Sequence, residues 1–144
     1  MIQKATVADA KAIAVLAVQM WDSAAAAELE QEFVETLRKD SSAVYLDIED
    51  GKAVGFAQCG LRQDYVEGTS SSPVGYLEGV FVEEAYRRRG IAGKLVEACE
   101  QWAVEKGCTE FASDCELDNA ASIAFHQHMG FVEANRIVCF VRKL

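Results

Sequence analysis

Apolar residues recur along the chain with two different spacings. Between residues 13 and 20, and again between 29 and 37, every third or fourth residue is apolar, which is the spacing of amphipathic helices. Other segments are short, rich in β-branched and aromatic residues, and bounded by turn residues, which is typical of strands. The pattern predicts strands over 2–4, 43–48, 54–62, 74–82, 110–115 and 131–142, and helices over 90–107, 119–129 and the two stretches just described.

Polar residues mark where these elements begin and turn. Thr6 followed by Asp9 resembles a capping box before the first helix, and Ser23 is placed to cap the second. The Asp50-Gly51 pair between two strands is a strong signal for a tight hairpin turn. Because paired strands precede a strand–helix–strand–helix–strand order, we predict an α/β fold, a mixed sheet with helices on both faces. We expect residues 1–144 to form a single domain.

The predicted strand over 74–82 has an unusual interior. It carries Glu78 and Gly79 in its middle, where a buried strand favours neither residue. Glycine at such a position indicates a β-bulge, or a close approach of a ligand to the backbone. The sequence therefore points to this strand as part of a functional site.

Composition is that of a folded protein and excludes several other classes. A chain of 15.7 kDa with 51% hydrophobic residues buries roughly two-thirds of its surface on folding, which argues against a disordered chain. No apolar run approaches the ~20 residues of a membrane span. The first residues also lack the basic and apolar regions of a signal peptide. We therefore expect a cytoplasmic protein with no membrane partner.

The five cysteines, at positions 59, 99, 108, 115 and 139, indicate neither disulfides nor a metal site. Their number is odd, no two form a C-x-x-C pair, and the chain has only two histidines. Disulfides are also rare in cytoplasmic proteins. We expect small, buried, free thiols and no bound metal.

Charge is distributed unevenly along the chain. The net charge is −9, but 14 acidic and four basic residues lie within 22–84, whereas residues 85–94 hold four basic residues and no acidic one. The acidic balance argues against nucleic acid as a partner. The contrast suggests two ligands of opposite charge, the alternative being an acidic surface that serves only solubility.

Residues 84–95, Glu-Ala-Tyr-Arg-Arg-Arg-Gly-Ile-Ala-Gly-Lys-Leu, join the 74–82 strand to the helix that follows it. Glycines let a ligand approach the backbone, and the unpaired N–H groups of a helix start attract anions. Three arginines precede that start, where they can pair with phosphates. The segment predicts a pyrophosphate site in preference to a capped helix with solvated arginines. The dinucleotide fingerprint G-x-G-x-x-G is absent, which disfavours NAD.

Two motifs resemble those of the GCN5-related N-acetyltransferase (GNAT) family. Arg87-x-x-Gly90-x-Ala92 is similar to the acetyl-CoA signature, and residues 119–131 are similar to the second signature, Asn-x-x-Ala-x-x-x-Tyr-x-x-x-Gly-Phe. The resemblance implies a GNAT fold whose sheet is splayed between strands 4 and 5, with acetyl-CoA as co-substrate in the opening. It implies acetyl-CoA contacts from Val80, Phe81, Val82, Arg87, Arg88, Arg89, Gly90, Ile91, Ala92, Gly93, Lys94 and Asn119.

His126 is a departure from the second signature. The family often has tyrosine at this position, where it protonates the leaving thiolate. The resemblance leaves open whether His126 takes that role, whether the thiolate leaves unaided, or whether this histidine is structural.

Residues 62–68, 71–73, 77–82 and 112–114 resemble the aminoglycoside 6′-N-acetyltransferases within this family. That resemblance implies an acceptor site lined by Trp21, Tyr65, Glu78, Asp114 and Asn135, although relatives can carry an acid at the position of Asn135. An acidic cleft suits a polycationic acceptor. The attacking amine must be neutral, so we expect Glu78 to accept its proton directly or through water.

Two further tasks, orienting the acceptor and polarising the thioester, are expected of groups near Glu78. We expect Asp114 to hold the same region of the acceptor, and we count it with Glu78 and His126 as catalytic. Backbone N–H groups near Val80 are placed to polarise the thioester carbonyl.

Each assignment has a plainer alternative. Glu78 is also suited to an ion pair across the sheet, Asp114 to capping the next loop, and Trp21 and Tyr65 to core or dimer packing. For the whole protein, one alternative is an acetyltransferase for another amine, such as a polyamine, a metabolite or a protein N-terminus. Another is a non-catalytic acyl-CoA-binding module.

The apolar, β-branched segment over 137–141 is suited to extending a sheet across a two-fold axis. We therefore expect a homodimer.

Overall fold

The computed structural model describes residues 1–21 and 25–144. The regular elements, in chain order, are β1 (Ile2–Lys4), α1 (Ala10–Ala17), α2 (Ala26–Leu37), β2 (Ser42–Glu49), β3 (Lys52–Arg62), β4 (Val74–Val82), α3 (Ile91–Glu105), β5 (Phe111–Ser113) and α4 (Ala120–His128). The predicted cap of the second helix, Ser23, lies outside the described residues.

The five strands form one sheet in the order β1-β2-β3-β4-β5. Neighbouring strands are antiparallel from β1 to β4, whereas β4 and β5 are parallel. The parallel pair arises because α3 carries the chain back across the sheet between them. The predicted mixed sheet is confirmed. The strands predicted over 2–4 and 74–82 begin and end at the same residues as β1 and β4.

A separate hydrophobic core covers each face of the sheet. Ile13 of α1 and Phe33 of α2 pack with Phe56 on one face, and Leu95 and Trp102 of α3 pack on the other. Fully burying a large apolar side chain contributes about 1.5–3 kcal/mol relative to leaving it exposed. The strands that carry the site are therefore held in place from both sides.

The turns between elements form as their polar residues predict. The backbone N–H of Thr6 donates to Asp9 Oδ2 at 2.7 Å, which completes the capping box before α1. Asp50 and Gly51 both have positive φ, 49° and 78°, as a type I′ hairpin turn requires.

The predicted irregularity in β4 is a β-bulge at Glu78. Gly79 lies opposite Gln58 and Leu77 lies opposite Cys59, so Glu78 is the extra residue on its strand. The bulge leaves Glu78 exposed in a strand whose preceding residues are buried. The sheet thus presents one carboxylate to solvent from the middle of a core strand.

The predicted strand or hairpin over 131–142 is wrong for this chain. Residues 131–144 contain neither helix nor strand, because a strand needs a neighbour for its backbone hydrogen bonds and the described parts of the chain offer this segment none. Most of its large apolar side chains are at least 70% solvent-exposed, namely those of Val132, Ile137, Val138, Phe140, Val141 and Leu144.

Cysteine burial follows the prediction only in part. Cys59, Cys99 and Cys108 are buried, but Cys115 is partly exposed and Cys139 is exposed. The prediction is wrong for these two because Cys115 lies beyond the end of β5 and Cys139 lies in the uncovered C-terminal segment. Within residues 1–21 and 25–144 we find no group of three potential ligands placed to hold a metal ion. No helix in these ranges has both the length and the apolarity to cross a membrane.

Candidate active site

The segment between β4 and α3 folds into an open concave turn. Arg88 and Gly90 both adopt left-handed backbone conformations, with φ of 64° and 76°. The first hydrogen bond of α3 runs from the Lys94 N–H to the Gly90 carbonyl at 3.2 Å, so the preceding N–H groups point out of the helix end. An α-helix N-terminus of this kind attracts an anion through these donors and its dipole.

A cavity of about 190 Å³ lies at this turn. It is lined by Val82, Tyr86, Arg87, Arg88, Gly90, Ile91 and Ala92. A Cβ atom added to Gly90 would meet nothing within 4 Å beyond Gly90 itself and the two residues adjoining it in the chain, so the space over this residue is open to a ligand. The turn therefore fits a pyrophosphate group.

The three arginines of the motif are not equivalent. Arg87 Nε donates to the Val82 carbonyl at 2.8 Å, and an Arg89 amino group donates to the Ala85 carbonyl at 3.3 Å. These bonds tie two of the guanidinium groups to the loop backbone. Arg87 and Arg88 both line the cavity. Because the Arg87 guanidinium is bound to the Val82 carbonyl, Arg88 is the arginine best placed to meet a ligand there.

The sheet opens directly beside this cavity. Pairing between β4 and β5 ends at Leu77 and Ser113, although β4 continues to Val82 along β3. Beyond Leu77, the edge of β4 that faces β5 has no strand partner in the described ranges. Backbone groups of Val80, Phe81 and Val82 therefore border the opening.

Glu78, at the edge of this opening, forms an ion pair with Arg62 of β3. One guanidinium nitrogen of Arg62 lies 2.9 Å from Glu78 Oε1 and 3.0 Å from Oε2, and Nε lies 3.3 Å from Oε1. The alternative of an ion pair across the sheet is thus realised. The Glu78 side chain nevertheless remains 33% exposed, so a ligand can still reach the carboxylate.

Asp114 is joined to the same cluster through Tyr76. The Tyr76 hydroxyl donates to Asp114 Oδ2, and the Arg62 guanidinium carbon lies 3.8 Å from the centre of the Tyr76 ring. Burial, reinforced by the hydrogen bond to Asp114, raises the pKa of the Tyr76 hydroxyl, which keeps it protonated as a donor. The structure therefore brings together the two predicted acceptor carboxylates, Glu78 and Asp114.

Sequence reasoning missed Arg62 and Tyr76. The available signal was that Arg62 is the single basic residue between Lys52 and Arg87, within the acidic part of the chain. A lone cation among carboxylates is a candidate for pairing with one of them.

His126 is held in one tautomer by two hydrogen bonds. Its Nδ1 lies 2.7 Å from the Ser122 carbonyl oxygen, which can only accept, so Nδ1 carries the proton. Nε2 lies 2.8 Å from Ser113 Oγ and accepts the hydroxyl proton. Ser113, which the sequence did not indicate, is the residue at which β5 and β4 separate. Asn119 instead caps α4, where its side chain accepts from the Ser122 N–H at 3.1 Å.

Trp21 packs into the core and also borders a cavity. Its ring lies 6.4 Å from Phe33 and 6.1 Å from Phe56, centre to centre, and a Cβ on Gly79 would come within 2.9 Å of it. A cavity of about 330 Å³ beside it is also lined by Leu29, Glu32, Phe33, Thr36 and Gln58. Trp21 thus lies beside the bulge and combines packing with access to solvent.

The other two predicted acceptor residues lie in exposed segments. Tyr65 is 74% exposed in the loop before β4. Asn135 Nδ2 donates to Glu67 Oε1 at 3.0 Å, so the C-terminal segment contacts that same loop. The structure brings neither side chain into the Glu78 cluster.

Comparison with known proteins shows a family and several named relatives to which this chain is similar. The model described as "Acetyltransferase (GNAT) family" matches residues 10–131. Aminoglycoside N(6′)-acetyltransferase type 1 of Salmonella typhimurium is 45% identical over 109 residues, covering 76% of this chain and 74% of the relative. A relative of the same name from Stenotrophomonas maltophilia is 40% identical over 140 residues, covering 96% and 90%.

Solved structures extend the similarity to the whole fold. AAC(6′)-Iy in complex with the bisubstrate analogue CoA-S-monomethyl-acetylneamine superposes with a TM-score of 0.95 at 35% identity, covering 100% of this chain and 98% of that one. The resemblance to aminoglycoside 6′-N-acetyltransferases that the motifs indicate is thereby confirmed.

Proposed function

The chain belongs to the acetyltransferase (GNAT) family, and we propose that it is an acetyl-CoA-dependent enzyme that acetylates the 6′-amino group of aminoglycosides. The observation that carries this proposal is that two features lie along β4. A cluster of carboxylates includes Glu78 of the strand, and an open turn suited to an anion follows the end of the strand. A pyrophosphate-bearing donor suits the turn, and a cationic acceptor suits the cluster. The relatives named aminoglycoside N(6′)-acetyltransferase support the same acceptor.

On the donor side, the turn over Gly90 to Lys94 would hold the pyrophosphate, with Arg88 facing it. Backbone groups of Val80, Phe81 and Val82 would hold the chain that leads to the thioester. Acetyl-CoA supplies an acetyl group activated as a thioester. Asn119 already caps α4, so any contact it makes with acetyl-CoA uses the amide nitrogen rather than the capping oxygen.

On the acceptor side, the carboxylates of Glu78 and Asp114 attract an ammonium group and orient it at the sheet opening. Glu78 then accepts the proton that the amine must lose before it can attack, directly or through water. Trp21 borders this region across Gly79. Tyr65 and Asn135, in the exposed loop and C-terminal segment, are proposed to contact more distant parts of the acceptor.

His126 and Ser113 share a hydrogen bond at the point where β4 and β5 separate. The fixed Nδ1–H leaves Nε2 as the acceptor of the Ser113 hydroxyl proton. We propose that Nε2 of His126 takes up a proton from solvent and gives it to the leaving thiolate, which returns the ring to its Nδ1–H form. His126 would thereby replace the tyrosine of the family signature.

Two rival functions remain testable against this one. Expression of the gene in a susceptible host should raise resistance to kanamycin and tobramycin, and the purified enzyme should acetylate these in preference to spermidine. Preference for spermidine would indicate an acetyltransferase for another amine. Absence of thiol release with every amine tested would indicate a non-catalytic acyl-CoA-binding module.

Arg88→Ala should weaken acetyl-CoA binding measurably without abolishing it. The variant loses about one charge-assisted hydrogen bond, worth ~1.5–3 kcal/mol, while the backbone donors of α3 remain. Isothermal titration calorimetry measures the change, with Arg38→Ala at the end of α2 as a control that should bind normally. Unchanged affinity in Arg88→Ala would remove this side chain from the donor site.

We also propose a homodimer, in which the segment over 137–141 pairs with the sheet of a second copy. This supplies the strand partner that the segment lacks and covers its exposed apolar side chains. Sedimentation should give the dimer mass for the wild type, and Phe140→Asp should shift the protein to monomer. Val15→Asp, at another exposed apolar residue, should leave the mass unchanged. A wild-type species of 15.7 kDa alone at micromolar concentration would contradict the proposal.

We further propose that residues 1–144 act as one acetyltransferase domain in the cytoplasm, where its free thiols would stay reduced.

A further inference from the structure

We propose that Arg62 is a positioning residue for the acceptor carboxylates, and that it acts by holding Glu78 and, through Tyr76, Asp114. This inference rests on the proposed function, because it assigns the acceptor side of that same site. The Arg62 side chain is not needed to explain the fold, since Arg62 is the last residue of β3 and its side chain is 45% exposed.

The geometry of the cluster is continuous from one carboxylate to the other. Three guanidinium contacts of 2.9, 3.0 and 3.3 Å fix both oxygens of Glu78, and the planar group rests on the Tyr76 ring at 3.8 Å. A fork of donors of this kind fixes the plane of a carboxylate, which a single ammonium group cannot do. Tyr76 in turn donates its hydroxyl to Asp114.

The bulge makes such a support necessary. Glu78 is the unpaired extra residue of β4, and a glutamate side chain at an exposed position samples several rotamers. Burial alone would lower the pKa of Arg62, but the hydrogen bond and charge of Glu78 outweigh it and raise this pKa. The Arg62 guanidinium therefore stays positively charged, which suits it to hold a carboxylate.

Charge balance within the cluster matches one ammonium group. Arg62 contributes one positive charge, and Glu78 and Asp114 contribute one negative charge each, so the ionised cluster has a net charge of minus one. An acceptor with one protonated amine at this position neutralises it. Loss of Arg62 would make the cluster more negative, which favours cation binding while releasing the Glu78 side chain.

Arg62→Ala should therefore lower kcat without raising KM for the aminoglycoside. Misplacement of a reacting group by about 1 Å can cost 10²-fold in rate, so we expect kcat to fall roughly 10- to 100-fold, with KM unchanged or lower. Arg62→Lys should restore the wild-type KM but not kcat, because lysine restores the charge and not the fork. A merely structural role would instead raise KM and lower the melting temperature together.

A double-mutant cycle with Glu78→Gln decides whether Arg62 acts through Glu78. In the Glu78→Gln background, Arg62→Ala should produce little further change in kcat. Lys52→Ala is the matched control and should leave kcat and KM unchanged. Lys52, the first residue of β3, is another exposed cation, and it pairs with Glu83 just beyond the end of β4.

Three results would overturn the inference. The first is a wild-type kcat in Arg62→Ala, and the second is full recovery of kcat in Arg62→Lys. The third is an equal decrease in kcat from Arg62→Ala in the wild-type and Glu78→Gln backgrounds. Each is distinct from failure of the proposed function, which would appear as absence of aminoglycoside acetylation by the wild-type enzyme. If the wild type instead acetylates another amine, the same variants are measured with that amine.

Discussion

Glu78→Gln is expected to lower kcat for aminoglycoside acetylation by about 10²-fold or more, the usual scale for loss of a general base. Glutamine preserves the shape of the side chain but cannot accept the amine proton. Asp114→Asn should impair acetylation as well, because the structure joins Asp114 to the same cluster through Tyr76. Both variants should bind acetyl-CoA with nearly wild-type affinity. The turn assigned to its pyrophosphate follows the end of β4, whereas Glu78 and Asp114 lie at the opposite end of the sheet opening.

The measurement is kcat and KM for tobramycin over roughly pH 6 to 9, where amines of this kind lose their protons. Glu83→Gln is the matched control, because Glu83 is also a carboxylate paired with a cation of β3, Lys52. If Glu78→Gln raises KM but retains the wild-type kcat throughout, Glu78 only binds the ammonium group. The enzyme would then depend on acceptor that arrives already deprotonated.

Gly90→Val is expected to abolish acetyl-CoA binding. A side chain at this position would enter the open space over the turn, which is the space that the pyrophosphate needs. Valine also disfavours the left-handed conformation of Gly90, with φ of 76°, so it would disturb the start of α3 and misalign its N–H donors.

Gly107→Val separates ligand exclusion from backbone strain. Gly107 follows the other end of α3, has a φ of 89°, and likewise has no atom within 4 Å of an added Cβ. Both variants should lose stability, measured by thermal unfolding, but only Gly90→Val should lose acetyl-CoA binding by calorimetry. Wild-type affinity in a folded Gly90→Val would contradict the assignment of the turn to the pyrophosphate.

The elements that the sequence predicted well are those whose signals are local. The capping box at Thr6, the Asp50-Gly51 turn and the bulge at Glu78 each depend on residues that lie next to one another in the chain. The same is true of the anion turn before α3, because a loop followed by a helix start forms its donors from consecutive residues. In these places, short-range chemistry and the final fold agree.

The features that were missed depend on partners distant in sequence. The pairing of Arg62 with Glu78 requires the register of β3 against β4, and the bond from Ser113 to His126 requires α4 to pack beside β5. The error over 131–142 has the same origin, since a β-branched pattern reports the tendency to form a strand but not the presence of a neighbour. Sequence therefore indicated Glu78 as a candidate site residue but not the arginine that pairs with it.

The position of the acetyl group on the product tests the proposed reaction most directly. Tobramycin is incubated with acetyl-CoA and the wild-type enzyme, and the product is purified and examined by two-dimensional NMR. We expect stoichiometric thiol release and a single acetyl group on the 6′-nitrogen. Acetylation at another amine, or no acetylated tobramycin while spermidine or a peptide amine is modified, would contradict it.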